Sequence, residues 1–143
     1  MAATRSMGMI LDSSILVAFE RRRFDLERLL TDHAPPVIAA VTAAELLIGV
    51  ERANTPERRS RRESFVQNIF ARVPIIPFDM AQARLYAVHF AELASRGEII
   101  GDRDLQIAVT ALSLGHDLAT LNAREFQRVT GLRLVDVSAY TVP

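Results

Sequence analysis

The chain has 143 residues, half of them apolar and about a quarter charged. That composition fits one folded domain, which we expect to span residues 1–143 with residues 1–8 as a frayed tail. Cysteine is absent, which excludes a disulfide framework, a thiolate metal site and a cysteine nucleophile. All 17 basic residues are arginine and 17 acidic residues balance them. Mechanisms that need a lysine are therefore excluded, and the net charge indicates no particular partner.

Membrane insertion and secretion are not expected. The longest apolar runs fall far short of the roughly 20 residues that cross a bilayer. The first nine residues lack the apolar segment of a signal peptide. We therefore expect a cytoplasmic protein without a membrane contact.

Short apolar runs predict the strands. They lie at residues 9–11, 37–41, 75–76, 118–121 and 132–137. Helical patterns separate them, among them residues 24–30 and 123–129. Strands that are apolar throughout and alternate with helices are typical of a parallel sheet covered on both faces. The predicted fold class is therefore α/β.

Capping residues indicate where the helices begin. The expected N-caps, in chain order, are Ser13 or Ser14, Thr42, Thr55, Asp79 and Asp102. Thr42 and Glu45 also have the spacing of a capping box, and Pro56 suits the first position after Thr55. Gly97 and Gly115 are expected to end the last two long helices.

Acidic and polar side chains follow several predicted strands. Asp12 follows the first strand and Asn122 the fourth, while Glu45 and Asp104 lie in the first turns of two helices. These positions meet at the carboxyl edge of a parallel sheet, where ligands bind. Clustered carboxylates need a cation among them, and oxygen ligands suit Mg²⁺ or Mn²⁺. The pattern indicates metal-dependent phosphodiester hydrolysis, although each acid could instead serve only a helix start.

Four segments carry a family resemblance. They are MILDSSILV at 9–17, TAAELLIG at 42–49, IGDRDLQIAVTAL at 100–112, and LATLN at 118–122 with the EF pair at 125–126. Their order and spacing resemble the PIN-domain family, and more narrowly its VapC-type ribonuclease toxins of bacterial type II toxin–antitoxin modules. The most specific piece is the Asp-x-x-Ile-Ala segment with the strand and asparagine that follow it.

The resemblance implies a PIN-like fold with a central parallel sheet of four to five strands flanked by helices. It implies a Mg²⁺- or Mn²⁺-dependent endoribonuclease that inhibits translation. It also implies a homodimer, and a heterotetramer or larger assembly with a cognate VapB-type antitoxin that has a DNA-binding region.

The family's acidic positions can be matched to this chain residue by residue. Its first three acids fall on Asp12, Glu45 and Asp104, which the resemblance makes the catalytic and metal-binding residues. The fourth position is Asn122, which removes one charge and leaves the number of metal ions open. Asp102 could compensate in part, or could only cap its helix. Three hydroxyl residues lie beside the acids, where they could orient ligands or only cap: Ser13, Ser14 and Thr120.

Other enzyme classes fit less well. A haloacid-dehalogenase-like phosphatase needs a second aspartate at position 14, which is serine, and a lysine. A response-regulator receiver also needs a lysine. One alternative stays open, namely a catalytically weak PIN fold that binds RNA or a partner without cutting.

Two arginine clusters are candidates for contact with RNA phosphates. Their members are Arg21, Arg22, Arg23, Arg58, Arg59, Arg61 and Arg62. The alternative is a solvated helix face with intrahelical ion pairs to the neighbouring glutamates. The apolar residues at 46–50 and 65–70 exceed one helix stripe. In the family this region tends to form the antitoxin groove, and the alternative is ordinary core.

Overall fold

The computed structural model describes residues 8–143. Its centre is a parallel sheet with the strand order β3-β2-β1-β4. The strands are β1 (Met9–Leu11), β2 (Pro36–Ala39), β3 (Ile75–Ile76) and β4 (Asp117–Ala119). Because the chain leaves β1 towards β2 and returns on the other side as β4, the strand order reverses between β1 and β4. Such a reversal opens a crevice at the carboxyl ends of the strands.

Seven α-helices and one 3₁₀ turn surround this sheet in the described part of the chain. The helices are α1 (Ser13–Glu20), α2 (Leu26–Asp32), α3 (Ala40–Glu51), α4 (Pro56–Arg72), α5 (Met80–Ser95), α6 (Asp102–Leu114) and α7 (Ala123–Phe126). The 3₁₀ turn is Ser138–Tyr140. The prediction of a parallel α/β sheet of four to five strands is confirmed, with four strands.

The two faces of the sheet carry separate cores. Met9 and Leu11 of β1 point to one face, where they pack with apolar residues of α1 to α4. Ile10 points to the other face and packs with Leu105 of α6 and Phe126 of α7. All three strand residues are at most 1% exposed. Burial on both faces explains why β1 is apolar throughout.

Local capping signals give several helix ends correctly. Thr55 accepts a hydrogen bond from the Arg58 amide (3.1 Å) with Pro56 at the start of α4. Asp79 and Gln82 form a capping box at the start of α5. Gly115 ends α6 with a φ of +66°, a left-handed conformation that glycine adopts without steric cost.

Three predicted caps are wrong. Helix α3 begins at Ala40, directly after Ala39 ends β2, and it begins without a side-chain cap because alanine has the highest helix propensity. Thr42 therefore lies inside α3, and its buried hydroxyl has no hydrogen-bond partner within residues 8–143. Asp12, rather than Ser13 or Ser14, occupies the N-cap position of α1. Gly101 occupies that of α6, which makes Asp102 the first helical residue.

The predicted fifth strand at 132–137 is also wrong. This segment makes one parallel bridge, between Leu118 and Leu134. Immediately afterwards the Asp136 carboxylate accepts hydrogen bonds from the amide (3.0 Å) and hydroxyl (2.7 Å) of Ser138. This aspartate turn directs the chain into the 3₁₀ turn and ends the pairing.

The N-terminal tail predicted for residues 1–8 lies outside the described residues except for Gly8. Gly8 is buried, and a Cβ at this position would lie 2.6 Å from Nε2 of His116. Residue 8 is therefore part of the packed fold. No helix within residues 8–143 is long and apolar enough to cross a membrane.

Candidate active site

The crevice between β1 and β4 collects the polar residues singled out in the sequence. Asp12 directly follows β1, and Thr120 directly follows β4. Glu45 lies in the second turn of α3, and Asp104 is the third residue of α6. The parallel register of β1 with β4 places the first two side by side. One edge of the sheet therefore gathers residues that are more than 100 positions apart.

Asp12 is the most buried of the three acids, with 3% exposure. One of its oxygens, Oδ2, accepts hydrogen bonds from Ser14 (2.8 Å) and Thr120 (2.7 Å). The Ser13 hydroxyl lies 3.4 Å from Oδ1. Buried carboxylates persist only where hydrogen bonds or charges compensate them. The three hydroxyls thus hold Asp12 in a fixed orientation, and its side chain makes no capping bond to α1.

Glu45 is linked to Asp12 through Ser13, whose hydroxyl lies 3.3 Å from Oε2 of Glu45. Burial raises the pKa of Glu45, and the negative charge of Asp12 adds to the rise. Arg103 opposes it, with its guanidinium 3.8 Å from the carboxylate. Because the Arg103 side chain is largely exposed, this long ion pair compensates only part of the local negative charge.

Asp104 is the most strongly perturbed acid. Its pKa rises to about 6, first through burial and then through a hydrogen bond shared with Glu125. The negative charges of Asp12, Glu125 and Glu45 raise it further. Four carboxyl groups are therefore close enough to affect one another. Strong perturbation of this kind, in a cleft, is typical of functional sites.

Glu125 is a site residue that the sequence reasoning did not single out. It lies in α7, which follows β4 and packs against α6. The sequence feature that could have identified Glu125 is its position three residues after Asn122, in a helix that follows the end of a strand. The pattern was noticed only as part of the family resemblance.

The two weaker candidates lie at the margin of the site. Asn122 holds the N-cap position of α7, and its backbone amide donates to the Thr120 hydroxyl (2.9 Å). The Asp102 carboxylate accepts hydrogen bonds from Tyr86 of α5 (2.5 Å) and from Gln106 (3.1 Å). Asp102 thus contacts α5 rather than the acids around Asp12.

The donor set consists of oxygens, which is the chemistry that Mg²⁺ and Mn²⁺ prefer. Within residues 8–143, no three histidine, aspartate or glutamate side chains are arranged to hold an ion together. The carboxylates would therefore have to move closer together in order to share one ion. The raised pKa values indicate the repulsion that a cation would relieve.

The two arginine clusters converge around connected cavities beside the acids. A cavity of about 170 Å³ is lined by Glu45, Arg21 and Arg62, and by apolar residues of α1, α3 and α4. A second cavity of about 660 Å³ is lined by Arg22, Arg58, Arg61 and Arg62, and by Arg52, which the sequence reasoning did not include. Arg59 instead pairs with Glu51 at the end of α3 (2.9 and 3.1 Å), which is an interhelical pair. Arg23 is exposed and lines neither cavity.

This combination of a four-stranded parallel sheet and an acidic crevice agrees with the comparisons to known proteins. The sequence pattern of the PIN domain matches residues 9–132. The chain therefore belongs to the PIN-domain family.

Several relatives of this chain within that family are VapC proteins. Ribonuclease VapC1 of Rickettsia felis is 33% identical over 133 residues, which cover 93% of this chain and 98% of that protein. The tRNA(fMet)-specific endonuclease VapC of Shigella flexneri is 34% identical, with coverage of 92% and 99%. A chain in the crystal structure of VapBC2 from Rickettsia felis, bound to a DNA fragment from its promoter, superimposes with a TM-score of 0.80. That chain is 28% identical, and the match covers 90% of this chain and 98% of that one.

Proposed function

We propose that this chain is the toxin of a type II toxin–antitoxin module and acts as a Mg²⁺- or Mn²⁺-dependent endoribonuclease that inhibits translation. The observation that carries the proposal is the gathering of Asp12, Glu45 and Asp104 in one crevice, where the negative charge of Asp12 adds to the raised pKa of both Glu45 and Asp104. The ribonuclease and endonuclease names of its VapC relatives support the same activity.

In this proposal Asp12, Glu45 and Asp104 hold the ion. When bound, the ion supplies an activated water and stabilises negative charge on the phosphate oxygens. The Ser14 and Thr120 hydroxyls keep Asp12 oriented, because both donate to its Oδ2.

The other residues of the crevice have smaller roles in this proposal. Asn122 and Asp102 serve at most as outer ligands, since neither adds a carboxylate to the central group. Glu125 forms a hydrogen bond with Asp104 and adds to the rise in the pKa of Asp104 that burial begins, so it helps to determine the pH at which Asp104 becomes a ligand.

The partners follow from the same comparisons. Structures similar to this chain are VapBC toxin–antitoxin complexes, which supports a VapB-type antitoxin as the partner. We further propose that the two form a heterotetramer or larger assembly in the cytoplasm. Exposed apolar side chains on α3 (Leu47, Ile48) supply a contact for it. The exposed Phe90 of α5, which stacks on Tyr86, supplies the contact for a homodimer.

The test is cleavage of total cellular RNA by the purified chain in Mg²⁺, in Mn²⁺ and in EDTA. We expect discrete fragments with either metal and none with EDTA. Asp12→Asn should abolish them, whereas the control Asp136→Asn, outside the site, should not. Cleavage by Asp12→Asn at the parent rate, with contaminating nucleases excluded, would refute the assignment of the site.

A second candidate is a PIN fold that binds RNA or a partner without cutting. It is favoured by Asn122 at the fourth acidic position and by the absence, within residues 8–143, of three acids arranged around one ion. Retained RNA binding without cleavage in either metal would support it.

A further inference from the structure

Five arginines from two distant segments line the 660 Å³ cavity beside the active site. Arg22 comes from the turn after α1, Arg52 from the end of α3, and three from α4: Arg58, Arg61 and Arg62. The one carboxylate among the lining residues is that of Glu20. In the described chain, no carboxylate lies within 4.0 Å of the guanidinium groups of Arg22, Arg52 and Arg61. The cavity therefore presents uncompensated positive charge.

The backbone at Arg22 adopts a conformation in which glycine is usual. Arg22 has a φ of +60°, the one positive value of a non-glycine residue within residues 8–143. The Arg22 amide donates a hydrogen bond to the Phe19 carbonyl (3.0 Å), and the Arg23 amide donates one to the Ala18 carbonyl (2.8 Å). These two bonds form a Schellman motif at the end of α1. Glycine usually occupies this position, because any side chain strains the left-handed backbone. The arginine side chain that replaces glycine at this position lines the cavity.

The arginine-rich cavity adjoins the smaller cavity that reaches Glu45. Glu20, Arg62 and Phe65 line both the arginine-rich cavity and the smaller cavity that Glu45 also lines. Glu45 and Arg52 are seven residues apart on α3 and its C-cap, which corresponds to about 10 Å along the helix axis. A chain with one phosphate at the acids could therefore place a neighbouring phosphate among the arginines.

We propose that Arg22, Arg52, Arg58, Arg61 and Arg62 form a phosphate-binding subsite for the RNA strand that enters the active site. The planar guanidinium group pairs with phosphate through two parallel hydrogen bonds. Arg62 is held in place by its bond to the Gly49 carbonyl (2.8 Å) and Arg58 by its bond to the Asn54 side chain (2.8 Å). Arg59 is left out, since it is paired with Glu51. The inference rests on RNA being the substrate.

Binding is measured separately from cleavage, in full-length chain carrying Asp12→Asn and in EDTA. The probe is a labelled single-stranded RNA of mixed sequence and about 12 nucleotides, titrated by fluorescence anisotropy at several salt concentrations. The test variants are Arg22→Gly and Arg61→Gln. The matched control is Arg84→Gln, which removes an exposed arginine from α5, a helix that packs on the opposite face of the sheet from α1 and α4.

Each test variant should weaken RNA binding at least several-fold and lower the slope of log affinity against log salt by about 0.7, the value for one phosphate contact in a single strand. Arg84→Gln should change neither quantity. The melting temperature of Arg22→Gly should stay the same or rise, because glycine relieves the left-handed strain. A purely structural role for Arg22 would instead lower it.

Three results would overturn the proposal. One is an unchanged salt slope in both test variants, and another is a lower melting temperature of Arg22→Gly with normal RNA binding. The third is tighter binding of a polyglutamate peptide than of an RNA with the same number of charges, which would assign the cavity to an acidic protein segment. If the parent chain binds RNA through these arginines but does not cleave it, the proposed phosphate-binding subsite is supported and only the proposed nuclease activity is refuted.

Discussion

Because the pKa of Asp104 is raised, we expect the affinity of the site for a divalent ion to depend on pH. This pKa is raised to about 6 by burial, by the hydrogen bond with Glu125 and by neighbouring negative charges. A carboxyl must lose its proton before it binds a divalent ion, so affinity is low where Asp104 is neutral. With this pKa the ionised fraction rises from about one tenth near pH 5 to about nine tenths near pH 7. We therefore expect the apparent affinity for Mn²⁺ to increase about tenfold over this range.

An aspartate with an ordinary pKa would be ionised at both ends of the range and would give almost no change. The raised pKa of Glu45 acts in the same direction as that of Asp104. The substitution Glu125→Gln tests whether Glu125 contributes to the raised pKa of Asp104, because it removes a negative charge and the carboxylate that forms the hydrogen bond with Asp104. It should lower the pKa of Asp104 and so move the rise in affinity to lower pH.

Isothermal titration with Mn²⁺ at several pH values is the assay. The control is Glu57→Gln, which neutralises an exposed glutamate in the first turn of α4 and should leave the profile unchanged. A flat affinity from about pH 5 to pH 7 in the parent chain would refute the reasoning. An unchanged profile in Glu125→Gln would refute the role of Glu125.

Three further predictions concern stability and assembly. Thr120→Val removes the hydroxyl that donates to Asp12 and accepts from the Asn122 amide, and should lower the free energy of unfolding by about 1–3 kcal/mol in urea denaturation. Asp79→Ala breaks the capping box of α5 and should cost about 1 kcal/mol by the same measurement, with RNA cleavage unaffected. Phe90→Glu places a charge on the exposed apolar face of α5, where Phe90 stacks on Tyr86 with a centroid distance of 6.1 Å. We expect this substitution to convert the proposed homodimer to a monomer in light scattering, whereas an unchanged mass would exclude this face as the dimer contact.

Local signals predicted the parts of the fold that depend on neighbouring residues alone. The Thr55, Asp79 and Gly115 boundaries are correct because a cap needs only the next turn of its own helix. Thr42 shows the limit of the same reasoning, because the alanines before it begin α3 earlier than its capping signal. The segment 132–137 shows a second limit of prediction from local sequence, since an apolar run does not specify whether the segment pairs with β4.

The candidate site was predictable to the extent that strand ends define it. Asp12 follows a strand directly, and the parallel arrangement brings Thr120 to it. Glu125 was missed because its approach to Asp104 depends on how the four-residue helix α7 packs on α6. The sequence also could not predict that Arg22 and Arg61 line one cavity, because this depends on how the turn after α1 lies relative to α4.

The most direct test of the account is the position of a bound ion. Crystals of the full chain would be soaked in Mn²⁺ at about pH 7.5, above the pKa of Asp104, and the anomalous signal of manganese measured. The account predicts a peak within coordination distance of Asp12, Glu45 and Asp104, with these carboxylates drawn closer together than they are without the ion. A peak bound elsewhere, or no peak in a chain that cleaves RNA, would contradict the assignment of these acids as the metal site.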